Sequence, residues 1–541
     1  LLFFFGKTTV LDSLLHSVAD DIRLTEATET TRSLASCCLT LHMMHNLRLL
    51  CCLLVTTCLT SSLAVAKQPN ILLIVSEDNG PELGCYGDHS ARTPHLDRLA
   101  QQGLRFAQAY VPQSGCSQSR ASFLTGLYPH QHGQIGLATW GFRLYREDTP
   151  NLPRRLKAAG YRTGIIGKLH INPASAFPFD YHEITSANFQ RKDLGAYAKS
   201  AQAFITAADS PFFLSVNYPD AHDPWIKQVA GVPEKPQTRN DVQVMRYMGI
   251  DSPAFRDMVA DYYNCMSRLD TLVGDLLQVL ERSGRSDNTI VIYIGDHGAD
   301  MLRGKRTCYE GGLRIPMLIR WPGHITPQVR NELVSTLDLM PTLLQAAGAT
   351  AVKDLPGAAL QPLFQPGDKP WRTHFFAEYH THAAAPNYFP QRCVRGTRFK
   401  LIESLLPDTI HPDFAKTIEK LHGDYTQQSY EESLDLNSVI HGARPEVRTA
   451  YQLMRKPPRF QLYDLQNDPY EFHNLANDPK HAEVLADLQS HLQRWRNNTH
   501  DPLTDPENLR KLTAEVRSVQ KKSVARKHAW QYPKYLKPSA D

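Results

Sequence analysis

At 541 residues the chain is too long for one ordinary hydrophobic core, and two domains are expected. Its 42% hydrophobic and 21% charged residues exclude a fibrous or disordered chain. A net charge of +4 excludes a broad basic surface, so no nucleic-acid partner is expected and any preference for an anion must come from local clusters.

Residues 1–42 show no clean period and no chemistry, and are expected to be a non-native extension. From Met43 and Met44 a short segment with Arg48 leads into the apolar run Leu49–Leu63 and then Ala64-Val65-Ala66. This is the layout of a secretory signal peptide, residues 43–66, with a small-residue cleavage site. The run is too short and too rich in Ser and Thr to favour a membrane span; a retained anchor is the alternative. A secreted or periplasmic protein beginning near Lys67 is expected, with no membrane span in the mature chain. Five of the ten cysteines precede Lys67, leaving Cys85, Cys116, Cys265, Cys308 and Cys393. Either four of these pair and one stands apart, or all five are reduced and buried.

From Asn70 to about Ala349, short apolar runs alternate with helical patterns. Ile71–Val75, Thr163–Ile166, Phe212–Val216 and Thr289–Ile294 read as buried strands. Helices are expected over Pro94–Gln102, Pro150–Ala159 and Ala254–Ser283, the last with Val259, Tyr262, Tyr263, Met266, Leu269, Val273, Leu276, Leu277 and Leu280 at helical spacing. Continuous apolar strands separated by helices predict an α/β fold, a mostly parallel sheet covered on both faces. From Trp371 the composition loosens, with a polar stretch from Asp408 to Val447 and a late helix near Ala482–Arg494, which predicts a smaller α+β C-terminal domain. The division expected is therefore a catalytic domain over 67–370 and a C-terminal domain over 371–541. The basic tail Arg517–Lys537 reads as a solvated surface.

The residues just past each strand carry the chemistry. Glu77-Asp78, Lys168 with His170, Asp220 with His222, and Asp296-His297 each follow a predicted strand within six residues. Ligands of open α/β sheets bind beyond the carboxyl ends of the strands, so these groups should converge. Glu77, Asp78, Asp296 and His297 would repel in a desolvated pocket unless a cation joined them. Hard oxygen ligands in an irregular shell favour Ca2+ over magnesium. Helix N-caps are the alternative role for these Asp and His residues.

Cys116 comes after Gly115 at an expected helix start, where free N–H groups favour an anion, and opens Cys116-Ser117-Gln118-Ser119-Arg120-Ala121-Ser122-Phe123-Leu124-Thr125-Gly126. This segment resembles the signature of the type I sulfatases. Glu310–Pro316 and, later, Leu462-Tyr463-Asp464-Leu465 with Asp468-Pro469 resemble the same family, over essentially the whole mature chain. A narrower resemblance, carried by Gly164–Lys168, Phe177–Asp180, Trp495 and Thr499–Pro502, is to the heparan N-sulfatases.

The resemblance implies an alkaline phosphatase-like fold and hydrolysis of a sulfated carbohydrate, with N-sulfoglucosamine ahead of a 6-O-sulfated sugar. It implies that a formylglycine-generating enzyme converts Cys116 to Cα-formylglycine, whose hydrate attacks sulfur and joins the metal shell. Arg120 then positions the modified side chain, Lys168 and His170 hold the sulfate oxygens, and His222 with Lys305 serves the leaving group. His380, His382 and Arg392, flanking Asn387-Tyr388-Phe389-Pro390, offer donors and an aromatic face to the sugar; packing of the interdomain seam is their alternative role. Three positions depart from the family pattern: Gln118 for Pro or Ala, Glu77 for Asp, and His297 where Asn is frequent. A phosphate ester hydrolase and a sugar-binding protein without turnover are the competing readings.

Overall fold

The strand β1 (Asn70–Ser76) is buried at all seven positions, as a strand covered on both faces must be. Around it lies an eight-stranded sheet. Its other members are β2 (Leu104–Tyr110), β3 (Arg162–Gly167), β4 (Tyr181–Glu183), β5 (Phe212–Asn217), β6 (Thr289–Gly295), β7 (Arg314–Arg320) and β8 (Gln328–Ser335), in the order β4-β3-β5-β1-β6-β7-β2-β8. Only β7 runs against its neighbours. The four predicted strands are β1, β3, β5 and β6, adjacent and mutually parallel, so their carboxyl ends share one edge. The computed structural model describes residues 68–411 and 436–537. The expected leader, the residues before it and part of the stretch from Asp408 to Val447 lie outside them. Among the described residues no helix is long and apolar enough to cross a membrane.

The predicted helices form as α1 (Pro94–Gln101), α3 (Leu152–Ala158) and α4 (Pro253–Arg282). Each begins with Pro in its first turn, where the missing N–H costs nothing, and Ser252 caps α4 by accepting from the Phe255 N–H at 3.3 Å. Helix α2 (Cys116–Thr125) starts where expected, on Gly115, and stops at Gly126, whose φ of 72° suits glycine. All ten of its residues are buried although most are polar, so their groups need partners inside the protein. Ser117 Oγ accepts from the Ala138 N–H at 2.9 Å, Ser122 Oγ meets His132 Nε2 at 3.0 Å, and Gln118 Nε2 donates to the Thr381 carbonyl at 2.6 Å.

A second, antiparallel sheet, β12-β11-β10-β9, forms from β9 (Phe375–Tyr379), β10 (Gln391–Arg395), β11 (Phe399–Ser404) and β12 (Phe460–Asp464). The late helix is α5 (Ala482–Asn498); its Leu488, Leu492 and Trp495 cover Val394, Leu401 and Leu462 of this sheet. The fold class is thus the one expected. The tail corrects the sequence reading in part. Lys521, Lys522, Arg526 and Lys527 are solvated, but Trp530, Tyr532 and Leu536 beyond them are buried. The indole of Trp530 lies 4.2 Å from the Phe142 ring and donates to the Trp140 carbonyl at 2.9 Å. The five described cysteines are free thiols, four of them buried, which matches the reduced alternative rather than pairing.

Candidate active site

Four strand ends and the start of α2 converge on one buried cluster. Arg120 lies at its base: Nε donates to Asp296 Oδ2 at 3.2 Å, Nη2 to Glu77 Oε1, and Nη1 to the Lys168 carbonyl at 2.9 Å and Asn217 Oδ1 at 2.8 Å. Lys168 Nζ donates to Glu77 Oε2 at 2.6 Å, and Lys305 Nζ to Asp78 Oδ2 at 2.8 Å. His297 Nε2 lies 3.4 Å from Cys116 Sγ and 3.2 Å from Asp78 Oδ1. His222 Nε2 stands 3.9 Å from Asp78 Oδ2, while its Nδ1 meets the Asp223 carbonyl at 2.6 Å. Asp78 and His170 both have positive φ, 47° and 59°, a backbone strain that non-glycine residues hold mostly at functional sites.

The charges fix one another's state. Burial pushes the Cys116 thiol up, but Lys168, Lys305 and His297 outweigh it and hold the thiol below its ordinary value. Burial opposes charge on His297 too, yet Asp296 and Asp78 carry it to about 9. His170 is held well below the usual range, first by burial and then by Lys168, Arg120 and His222. It is neutral, with both ring nitrogens buried and free of hydrogen bonds.

The predicted metal ligands, joined by His222, fall into two overlapping groups. Glu77, Asp78, Cys116 and His222 each place a ligand atom within 4.8 Å of the others, as do Asp78, Cys116, Asp296 and His297. Asp78 Oδ1 is buried without a hydrogen bond, which suits a site built for a cation. Glu77 is committed at both oxygens, to Arg120 and Lys168.

The three predicted sugar-binding residues part company. His382 is buried, and burial, then the charges of Lys305, Arg306 and His297, hold it well below the usual range. Arg392 is fully buried and bidentate to Asp501 at 2.9 and 2.7 Å. His380 lies 3.4 Å from Glu378 Oε1, and Glu378 in turn takes His130 Nδ1 at 2.6 Å. This pair therefore packs a seam. Tyr388 and Phe389 are buried as well.

Sequence reading missed Asp300, which pairs with Lys305 at 3.4 Å and Arg306 at 2.7 Å, and Asp223, which orients His222. Both lie several residues past a predicted strand, in loops without periodicity. Asp220, by contrast, is taken by Arg191 and by a bidentate Arg268 of α4, and anchors the loop that carries His222.

A sheet whose strand ends gather carboxylates, cations and a helix-borne cysteine defines a hydrolase of the alkaline phosphatase-like class. Residues 69–349 match the sulfatase family model, and residues 295–431 match the model of the N-sulphoglucosamine sulphohydrolase C-terminal domain. The chain is 32% identical to human N-sulphoglucosamine sulphohydrolase over 84% of its length and 94% of that protein. It is 31% identical to human arylsulfatase A, over 80% and 89%. The chain belongs to the sulfatase family and is a sulfuric ester or sulfamate hydrolase. Its fold also matches a structure described as complexed with its substrate D-glucosamine-2-N,6-O-disulfate (TM-score 0.59, 20% identity, 80% and 99% covered). A phosphonate monoester hydrolase of Agrobacterium radiobacter has the same fold (TM-score 0.58, 19% identity, 80% and 96% covered).

Proposed function

We propose that this sulfatase removes the N-sulfate of a terminal N-sulfoglucosamine in heparan-type chains, through formylglycine made from Cys116 beside one calcium ion. The observation that carries the mechanism is Cys116 itself, buried at the start of α2 within 3.4 Å of His297 and held among Lys168, Lys305 and His297. The similarity to human N-sulphoglucosamine sulphohydrolase along nearly all of that protein supports the substrate. Catalytic residues then come from 67–370, with the C-terminal domain over 371–541 closing one side.

Glu77, Asp78, Asp296 and His297, whose imidazole gives up its proton where the ion takes its place, would hold the ion, which supplies Lewis acidity and cancels the repulsion of three carboxylates. The hydrated aldehyde of the modified cysteine would supply the oxygen that takes the sulfuryl group, and loss of the proton from its second hydroxyl would then expel sulfate and restore the aldehyde. Arg120 keeps Glu77 and Asp296 in register below it. Lys168 and neutral His170 bind the sulfate oxygens. His222, with Nδ1 turned to Asp223, holds a proton at Nε2; burial disfavours that charge but Asp78 overcomes it, and its pKa is raised. As the N–S bond breaks, Nε2 passes this proton to the leaving nitrogen, and Lys305 stabilises the charge that develops there.

Two measurements test the reading. Mass spectrometry of the peptide containing Cys116, from active protein, should find an aldehyde; a thiol alone refutes the nucleophile. Sulfate release from N-sulfoglucosamine should exceed that from glucosamine 6-sulfate at matched concentrations, by up to roughly 10⁴-fold where buried donors are left unpaired. Faster release from the 6-O-sulfated sugar overturns the N-sulfatase assignment alone.

A further inference from the structure

His374, Asp487 and His491 lie outside the strand-end site, and each brings a ligand atom within 4.8 Å of the other two. His374 immediately precedes β9, whereas Asp487 and His491 are i, i+4 neighbours on one face of α5. We propose that these three residues form a zinc site that clips the first strand of the C-terminal sheet to the helix covering it.

The donor set selects the ion. Two imidazoles and one carboxylate suit zinc, while calcium and magnesium prefer oxygen alone. The imidazoles are stacked, with centroids 3.9 Å apart and planes at 24°, so the exposed His491 ring must turn about its Cβ–Cγ bond for both in-plane lone pairs to meet one ion. Asp487 Oδ1 stands 3.6 Å from His491 Nε2. His374 Nδ1 meets the Thr373 hydroxyl at 3.0 Å, and with the proton on Nδ1 the lone pair is on Nε2. Such a partner on the far nitrogen is how proteins orient a ligating histidine. Gly396 lies beside Nε2, where a Cβ would come within 3.6 Å of it.

The surroundings leave room for the ion and its fourth ligand. Glu483, one turn before Asp487 on the same helical face, lines the same depression but stands outside the cluster of ligand atoms, so water completes the tetrahedron. The nearby cations are engaged elsewhere: Arg398 holds Asp464 through two nitrogens, and Arg494 reaches Ser490. Side-chain exposures of 64% for Asp487 and 30% for His491 give an aqueous ion direct access.

Calorimetric zinc titration of the calcium-saturated full chain, with elemental analysis after dialysis, tests the site. The wild type should take up one zinc more than the His374→Ala/His491→Ala double variant, and each single variant should bind that zinc at least about tenfold more weakly. Sulfatase activity should be equal in all of them, which reports that the variants fold. Where an alanine variant does not fold, His491→Gln, of similar size and polarity, replaces it. Zinc should also raise the melting temperature of the wild type and leave that of the double variant unchanged. Equal zinc uptake by wild type and double variant, or zinc affinity unchanged by His491→Gln and Asp487→Asn, overturns the proposal.

Discussion

Arg120 joins two carboxylates from different strands, a backbone carbonyl and an amide, which uses donors on three nitrogens of one plane. A lysine has one nitrogen and cannot span them. Arg120→Lys should therefore lose the bond to Glu77 or to Asp296, lowering stability and reducing kcat by at least about 100-fold. Denaturant unfolding and steady-state kinetics on one preparation measure both. Glu82 offers a cleaner reading of pH. Burial, and then Asp88, raises its pKa from 4.5 to about 7. A group raised in the folded state stabilises fully below pH 4.5 and loses that contribution as the pH climbs through 7. Glu82→Gln keeps the shape without the charge. Its melting temperature should gain on the wild type between pH 5 and pH 8, by the equivalent of at most about 3 kcal/mol. A constant difference across that range would refute the shift.

At the scale of elements, the seam between β9, β10 and the turn after α5 is built on charge rather than apolar contact. Arg392 faces Asp501 on one side and Glu378 at 3.7 Å on the other. Arg392→Ala should destabilise the protein by about 3–5 kcal/mol while leaving KM nearly unchanged, which unfolding curves and kinetics would separate. The sequence suggested a sugar ligand here because His380, His382 and Arg392 are close in the chain. Spacing along β10 does not tell which face meets Asp501, more than a hundred positions away. Strands β1, β3, β5 and β6 were legible because burial on both faces leaves an unbroken apolar run. Strands β2 and β8 were not, since Arg105, Gln108, Arg330 and Glu332 interrupt them. Within the site, the four strand ends were readable because each carries acid, lysine or histidine within a few residues of the strand. Asp300 and Asp223 were not, because their meaning is the cation each meets in space.

Taken as a whole, the molecule brings its last residues back to its catalytic half. Trp530 and Tyr532 pack on Phe142, and the Tyr532 hydroxyl accepts from the Arg143 N–H at 2.8 Å. Trp530→Ala should cost about 3–5 kcal/mol, read as a lower unfolding midpoint, because the cavity it leaves is lined by rings that relax little. Cys116 belongs to the same apolar cluster as Trp530, Tyr532 and Leu536 and is only 2% exposed. This arrangement sets a clock. The wall of that cluster is finished by residues more than four hundred positions after Cys116, so any enzyme that alters Cys116 must reach it before they are synthesised or before they dock.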